Sequence, residues 1–136
     1  AMAMDAEGVH LGQSDLPIHI ARRILGPDKI VGATAKTVPQ ATEAYEQGAD
    51  YLGVGAVFPT SSKSDVGEMS YETLKAICKA VSIPVVAIGG ISGENVGKLA
   101  GSGICGVAVI SAIYAAKNIG QASKDLKAAT EKMLHD

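Results

Sequence analysis

The sequence predicts an α/β fold built on a parallel sheet, and three observations carry that prediction. Five short apolar runs alternate with segments of helical period or with loops leading to one. The spacing leaves no room for antiparallel hairpins, so right-handed crossovers make the sheet parallel, either open and doubly wound or closed into a barrel. The composition agrees: 47% of the residues are hydrophobic, with 16 glycines, a single Phe and no Trp. Buried parallel strands characteristically read as such short aliphatic runs.

Taken in order, the chain opens with Ala1-Met2-Ala3-Met4-Asp5, which reads as the tail of an alanine-rich helix. Residues 8–11 form the first run. Asp15 then caps a predicted helix with Leu16 and Pro17 in its first turn, which turns Ile20, Ile24 and Leu25 inward and stops at Gly26-Pro27. Residues 29–33 form the second run, followed by a short helix over 39–47 that Gly48 ends. The third run, 51–57, leads into a polar loop over 60–69. Ser70 is the N-cap of the next helix, 71–81, in which Leu74, Ile77, Cys78 and Val81 fall on one stripe. After the fourth run, 84–88, comes a stubby helix over 94–100 broken by Gly97. The fifth run, 106–110, opens into a helix over 111–116. A final amphipathic helix from Gln121 carries Ala122, Leu126, Ala129 and Met133 on one face. No linker or low-complexity stretch divides residues 1–136, so a single domain is expected.

Composition also narrows the function. A net charge of −2 without a basic block argues against an electrostatic nucleic-acid binder. No apolar run reaches membrane-spanning length and no signal-peptide pattern is visible, so the expected location is the cytoplasm. Cys78 and Cys105 lie in apolar contexts and read as buried small hydrophobes in a reducing compartment.

In parallel α/β folds the working residues gather at the carboxyl ends of the strands. The loop Thr60-Ser61-Ser62-Lys63 joins hydroxyls and backbone N–H groups to one cation, a combination suited to phosphate oxygens. Gly89-Gly90 allows a ligand to approach the backbone closely, and Ile110-Ser111 opens a helix on the same rim. Asp15 reads first as a helix cap, with a hard-cation ligand as the alternative. His10, alternating with Val9 and Leu11, reads as a hydrogen-bonded core histidine, and His19 and His135 as surface residues. There is no Ser/His/Asp or Cys/His triad and no Cys/His cluster of metal-binding spacing.

Four strings in register, GVHLGQSD (8–15), GADYLGVGAVFPTSSKSD (48–65), IPVVAIGGISGEN (83–95) and GVAVISAI (106–113), resemble thiamine-phosphate synthases. The resemblance runs through essentially the whole chain. It implies a TIM barrel and an Mg²⁺-dependent coupling of hydroxymethylpyrimidine diphosphate to thiazole phosphate, giving thiamine phosphate and pyrophosphate. It further implies that Asp15 binds the metal, that Lys63 and Thr34 contact the pyrimidine diphosphate, and that Lys63 is the catalytic cation. By the same resemblance Thr60, Ser61, Ser62, Gly90, Ile110 and Ser111 hold the thiazole phosphate.

Members of the family carry three earlier barrel strands, bearing a Gln/Arg/Lys group and an Asn-Asp pair, that have no counterpart here. Five strands cannot close an eight-stranded barrel. The expectation is therefore a partial barrel of about five βα units with its N-terminal strands missing, inactive alone, its open edge covered in a homo-oligomer. A related thiazole tautomerase is the nearest alternative. That relative has a histidine in the segment where this sequence has Lys36, and it lacks both the Asp at 15 and the Pro-Thr-x-Ser/Thr-Lys loop, so Asp15, Thr60 and Lys63 favour the synthase. A non-catalytic fragment that binds phosphate or self-associates is the other.

Overall fold

A computed structural model describes residues 1–59 and 68–136. Five parallel strands form one sheet: β1 (Gly8–Leu11), β2 (Ile30–Ala35), β3 (Tyr51–Gly55), β4 (Val85–Ile88) and β5 (Gly106–Ala108). The helices are α1 (Ile18–Leu25), α2 (Val38–Glu46), α3 (Tyr71–Ala80), α4 (Ser111–Tyr114) and α5 (Ile119–His135), with 3₁₀ turns at Met2–Met4 and Val96–Leu99.

Spatial order follows chain order, β1-β2-β3-β4-β5, and every neighbouring pair is parallel. A doubly wound sheet reverses direction at a switch point and cannot have this order. Right-handed crossovers that always step the same way put their helices on one face, so the structure is an arc of a singly wound (β/α) barrel. Burial follows the strand alternation. Val31, Ala33, Ala35, Leu52, Val54, Val85 and Ala87 are buried and belong to one core with Leu74, Ile77, Val96 and Met133. The opposite parity is open: Ile30 is 49% exposed and Ile88 39%, and His10 is exposed as well.

The elements end where local chemistry ends them. Thr37 caps α2 by accepting from Gln40 N–H at 3.2 Å, and Ser70 caps α3 by accepting from Thr73 N–H at 3.1 Å. Gly26 terminates α1 with φ 87°, a left-handed conformation open to glycine. At the amino end of the sheet, Asp50 accepts from Val31 N–H at 2.8 Å and from Arg22 Nη2 at 2.5 Å. Arg22 also donates to the carbonyls of Lys29 and Gly48. The Val31 N–H lowers the pKa of Asp50 most; partial burial opposes the effect and Arg22 reinforces it.

Several sequence expectations are corrected. Helix α1 starts at Ile18 with Pro17 at the N-cap, and its buried residues are Ile18 and Ala21, while Ile24 is 51% exposed. Proline at 17 lacks an N–H and fits before the first helical hydrogen bonds; the face turned inward is Ile18 and Ala21, with Leu25 packed against the core as expected. The final helix begins earlier, at Ile119, because Asn118 caps it by accepting from Gln121 N–H at 3.0 Å. Cys105 is exposed, since it precedes the edge strand β5, whereas Cys78 is half-buried, as its stripe implied.

Candidate active site

All five strands point their carboxyl ends to one rim, and the described candidates lie along it. After β1 the chain folds into a turn in which Asp15 N–H donates to Gly12 O at 3.1 Å and Gly12 N–H donates to Asp15 Oδ2 at 2.6 Å. The carboxylate therefore ties its own turn and does not cap α1, which has no side-chain cap. Next to it Gln13 donates from Nε2 to the carbonyl of Thr34 at 2.6 Å, fastening the turn to β2. Gln13, Asp15 and Thr34 share the lining of a groove of about 350 Å³.

The Thr34 side chain belongs to the open face. Its Oγ1 is 2.9 Å from His10 Nε2, and His10 Nδ1 is 2.9 Å from the Tyr51 hydroxyl. Strand register explains the meeting: His10 pairs with Gly32, and Gly32 with Tyr51, so both rings reach across a residue without a side chain. A Cβ at Gly32 would fall 2.1 Å from Tyr51 Cζ, and one at Gly53 would fall 3.0 Å from His10 Cε1. Partial burial pushes the His10 pKa down and the Asp15 charge opposes that shift, which favours a neutral ring. His10 is thus hydrogen-bonded as expected, but on the exposed face rather than in the core.

Across the rim, Gly89 and Gly90 have φ of 100° and 65°. A Cβ at Gly90 would lie 2.4 Å from Pro59 O and 2.8 Å from Phe58 O, so this glycine lets the end of β4 meet the chain just after β3. Phe58 N–H donates to Gly89 O at 3.1 Å, and Met69 N–H donates to Ala56 O at 2.7 Å. The Asn95 side chain, which sequence reasoning missed, donates to Gly90 O and accepts from Ser92 N–H, both at 2.8 Å. Ile110, 67% exposed, and Ser111 open α4 on the same rim. Thr60, Ser61, Ser62 and Lys63 lie outside the described residues.

A magnesium site built on Asp15 would need several further oxygen ligands. Among the described residues, no group of three or more His, Cys, Asp or Glu could hold a metal ion. One Asp15 oxygen is already engaged by Gly12 N–H. Asp15 can offer one carboxylate, and the described residues do not by themselves make a metal centre. No helix among them is long and apolar enough to cross a membrane.

Known proteins resemble the chain in both sequence and fold. It is 53% identical over 126 residues to a thiamine-phosphate synthase of Clostridium tetani, covering 93% of this chain and 60% of that protein. A thiamine-phosphate synthase of Ruminiclostridium cellulolyticum is 52% identical over 134 residues, covering 98% of this chain and 60% of the relative. The solved structure of a thiamine phosphate pyrophosphorylase from Pyrococcus furiosus superposes with a TM-score of 0.89 at 43% identity, covering 98% of this chain and 63% of that one. The chain thus spans about 60% of the length of the curated relatives it matches. The family profile described as thiamine monophosphate synthase matches residues 1–113. With that match and a sheet that forms part of a TIM barrel, the chain belongs to the thiamine monophosphate synthase family.

Proposed function

We propose that this chain supplies the carboxyl-terminal part of a thiamine-phosphate synthase active site, as a single incomplete barrel domain acting in the cytoplasm. The reading is supported above all by the family match together with one rim that gathers Asp15, Thr34, Gly90, Ile110 and Ser111. In it the thiazole nitrogen bonds to the pyrimidine methylene carbon. The bond from that carbon to the diphosphate oxygen breaks, and pyrophosphate leaves with the electron pair. No proton has to be removed at the reacting carbon, which suits a rim without a nucleophile–base pair.

Each described residue has a role that its position allows. The Thr34 hydroxyl meets the pyrimidine diphosphate on the open face. Gly90, Ile110 and Ser111 hold the thiazole phosphate with backbone and hydroxyl donors. The reading also assigns Thr60, Ser61 and Ser62 to that phosphate, and Lys63 to the departing diphosphate as the catalytic cation. Mg²⁺ is the cofactor of this reading, and Asp15 contributes one ligand to it. The edges of β1 and β5 that have no partner strand among the described residues, and apolar side chains such as Ile30 and Ile88, are covered by protein in the working assembly, a homo-oligomer.

The test is formation of thiamine phosphate and pyrophosphate from the two substrates with Mg²⁺. It is run on this chain and on a fusion carrying the preceding part of the Clostridium tetani relative in front. Product from the fusion and little from the chain alone is the expected result. Product from neither, with the fusion folded, would leave at most a phosphate-binding or self-associating fragment.

A further inference from the structure

The Thr34 hydroxyl does not stand alone on the open face. His10 and Tyr51 form a chain of hydrogen bonds that ends on it, with both steps at 2.9 Å. The three residues sit on three successive strands, and Gly32 and Gly53 leave the space their rings occupy. A side chain at Gly32 would displace the Tyr51 ring, since its Cβ would fall 2.1 Å from Cζ, and one at Gly53 would press on His10 at 3.0 Å. Five positions on one face thus serve a single contact, and none of them fills the packed core.

The chain also has a direction. A neutral imidazole donates from one nitrogen and accepts at the other. A phenol is the more acidic hydroxyl and the weaker acceptor, whereas an alkyl hydroxyl accepts well. The favoured arrangement therefore has Tyr51 O–H donating to His10 Nδ1, and His10 Nε2–H donating to Thr34 Oγ1. Thr34, satisfied as an acceptor, keeps its own proton to donate. Chains of this kind strengthen each member through polarisation.

We propose that His10 and Tyr51 are positioning residues that hold the imidazole as its Nε2–H tautomer and so aim the Thr34 hydroxyl proton at an acceptor oxygen or ring nitrogen of the reactant. This rests on the reading of Thr34 as a substrate contact, but the tautomer itself can be measured without turnover. His10 touches no reactant in this account; it acts through Thr34. Among the described residues, the charged group that acts on it is Asp15, and its titratable hydrogen-bond partner is Tyr51.

The experiment is ¹⁵N NMR of the histidine side chains in the 136-residue chain at neutral pH, comparing the unaltered protein with Tyr51→Phe, and with His10→Asn to assign the signal. The expected spectrum has His10 Nδ1 unprotonated and Nε2 protonated, with Tyr51→Phe shifting the ring toward a mixture of tautomers. An Nδ1–H tautomer, a protonated ring, or a Tyr51→Phe spectrum identical to the parent would overturn the proposal. In the active fusion, Tyr51→Phe should lower kcat roughly tenfold while leaving the KM for thiazole phosphate unchanged, the size of one lost oriented hydrogen bond. An unchanged kcat also overturns it. A fusion that never turns over defeats the synthase reading, and the spectrum then decides the tautomer lock by itself.

Discussion

The two faces of the sheet are made by the same strands, yet they follow opposite rules. Under the helices the strands carry Val31, Ala33, Ala35, Leu52, Val54, Val85 and Ala87, all buried, with no polar side chain among them. On the other face the intervening positions carry His10, Thr34 and Tyr51, linked by side-chain hydrogen bonds, with Gly32 and Gly53 between them. One face gains free energy by excluding water from aliphatic surface. The other spends side-chain volume to create room and fixed donors. Strand alternation makes this division possible, since a period of two lets packing and chemistry evolve at alternate residues.

The sharpest way to break the comparison is to damage the packed face. Leu52→Ala removes a fully buried side chain and should cost about 2–5 kcal/mol, read as a lower denaturant midpoint. A cost below about 1 kcal/mol would mean that this face is not tightly packed.

Glycine substitutions probe the open-face parity more finely. A Cβ at Gly55 would lie 1.9 Å from the Ile88 carbonyl oxygen, so Gly55→Ala must push two strands apart. Its expected cost is about 3 kcal/mol. At Gly32 the clash is with the far end of the Tyr51 ring, which can swing into the open face. Gly32→Ala should cost only about 1 kcal/mol, while abolishing the His10–Tyr51 contact in the NMR spectrum. Equal costs at the two positions would remove the distinction between a rigid backbone contact and a movable functional ring.

The smallest effect expected is on pH dependence. His10 is held below its ordinary value of 6.5 by burial, with Asp15 partly offsetting. The folded protein then binds fewer protons than the unfolded chain between that lowered value and 6.5. Stability is full above this window and declines as the pH falls through it. His10→Asn should flatten that part of the stability profile, measured by denaturation at several pH values. A profile that keeps its slope in the variant would assign it to other groups.

The helix-facing half was legible in the sequence because its signal is repetitive. The runs that became β1 to β5 and the stripe Leu74, Ile77, Cys78 and Val81 are periodic, and periodicity survives without coordinates. Strand ends shift by a few residues, as with residues 51–57 against Tyr51–Gly55, because apolar residues continue past the regular strand, where Val57 N–H still donates to Ile88 O at 3.0 Å. The open face was less legible. His10 resembles a core residue when only its neighbours Val9 and Leu11 are read, and nothing local links it to residues 24 and 41 positions away. The available signal was the set of glycines at matching parity, Gly32 and Gly53, on the strands beside it. Local spacing alone reads Asp15 as a helix cap, but α1 starts only at Ile18, after Pro17, and the carboxylate closes the Gly12 turn instead.

The central claim, that one face folds the protein and the other serves the reaction, is tested most directly by crossing two substitutions in the active fusion. Thr34→Val preserves shape on the open face, and Ile77→Val trims the packed side. The account predicts that Thr34→Val lowers turnover at least roughly tenfold while changing stability by less than about 0.5 kcal/mol. It predicts that Ile77→Val costs about 1 kcal/mol of stability and leaves turnover per folded molecule unchanged. Full turnover in Thr34→Val would contradict it.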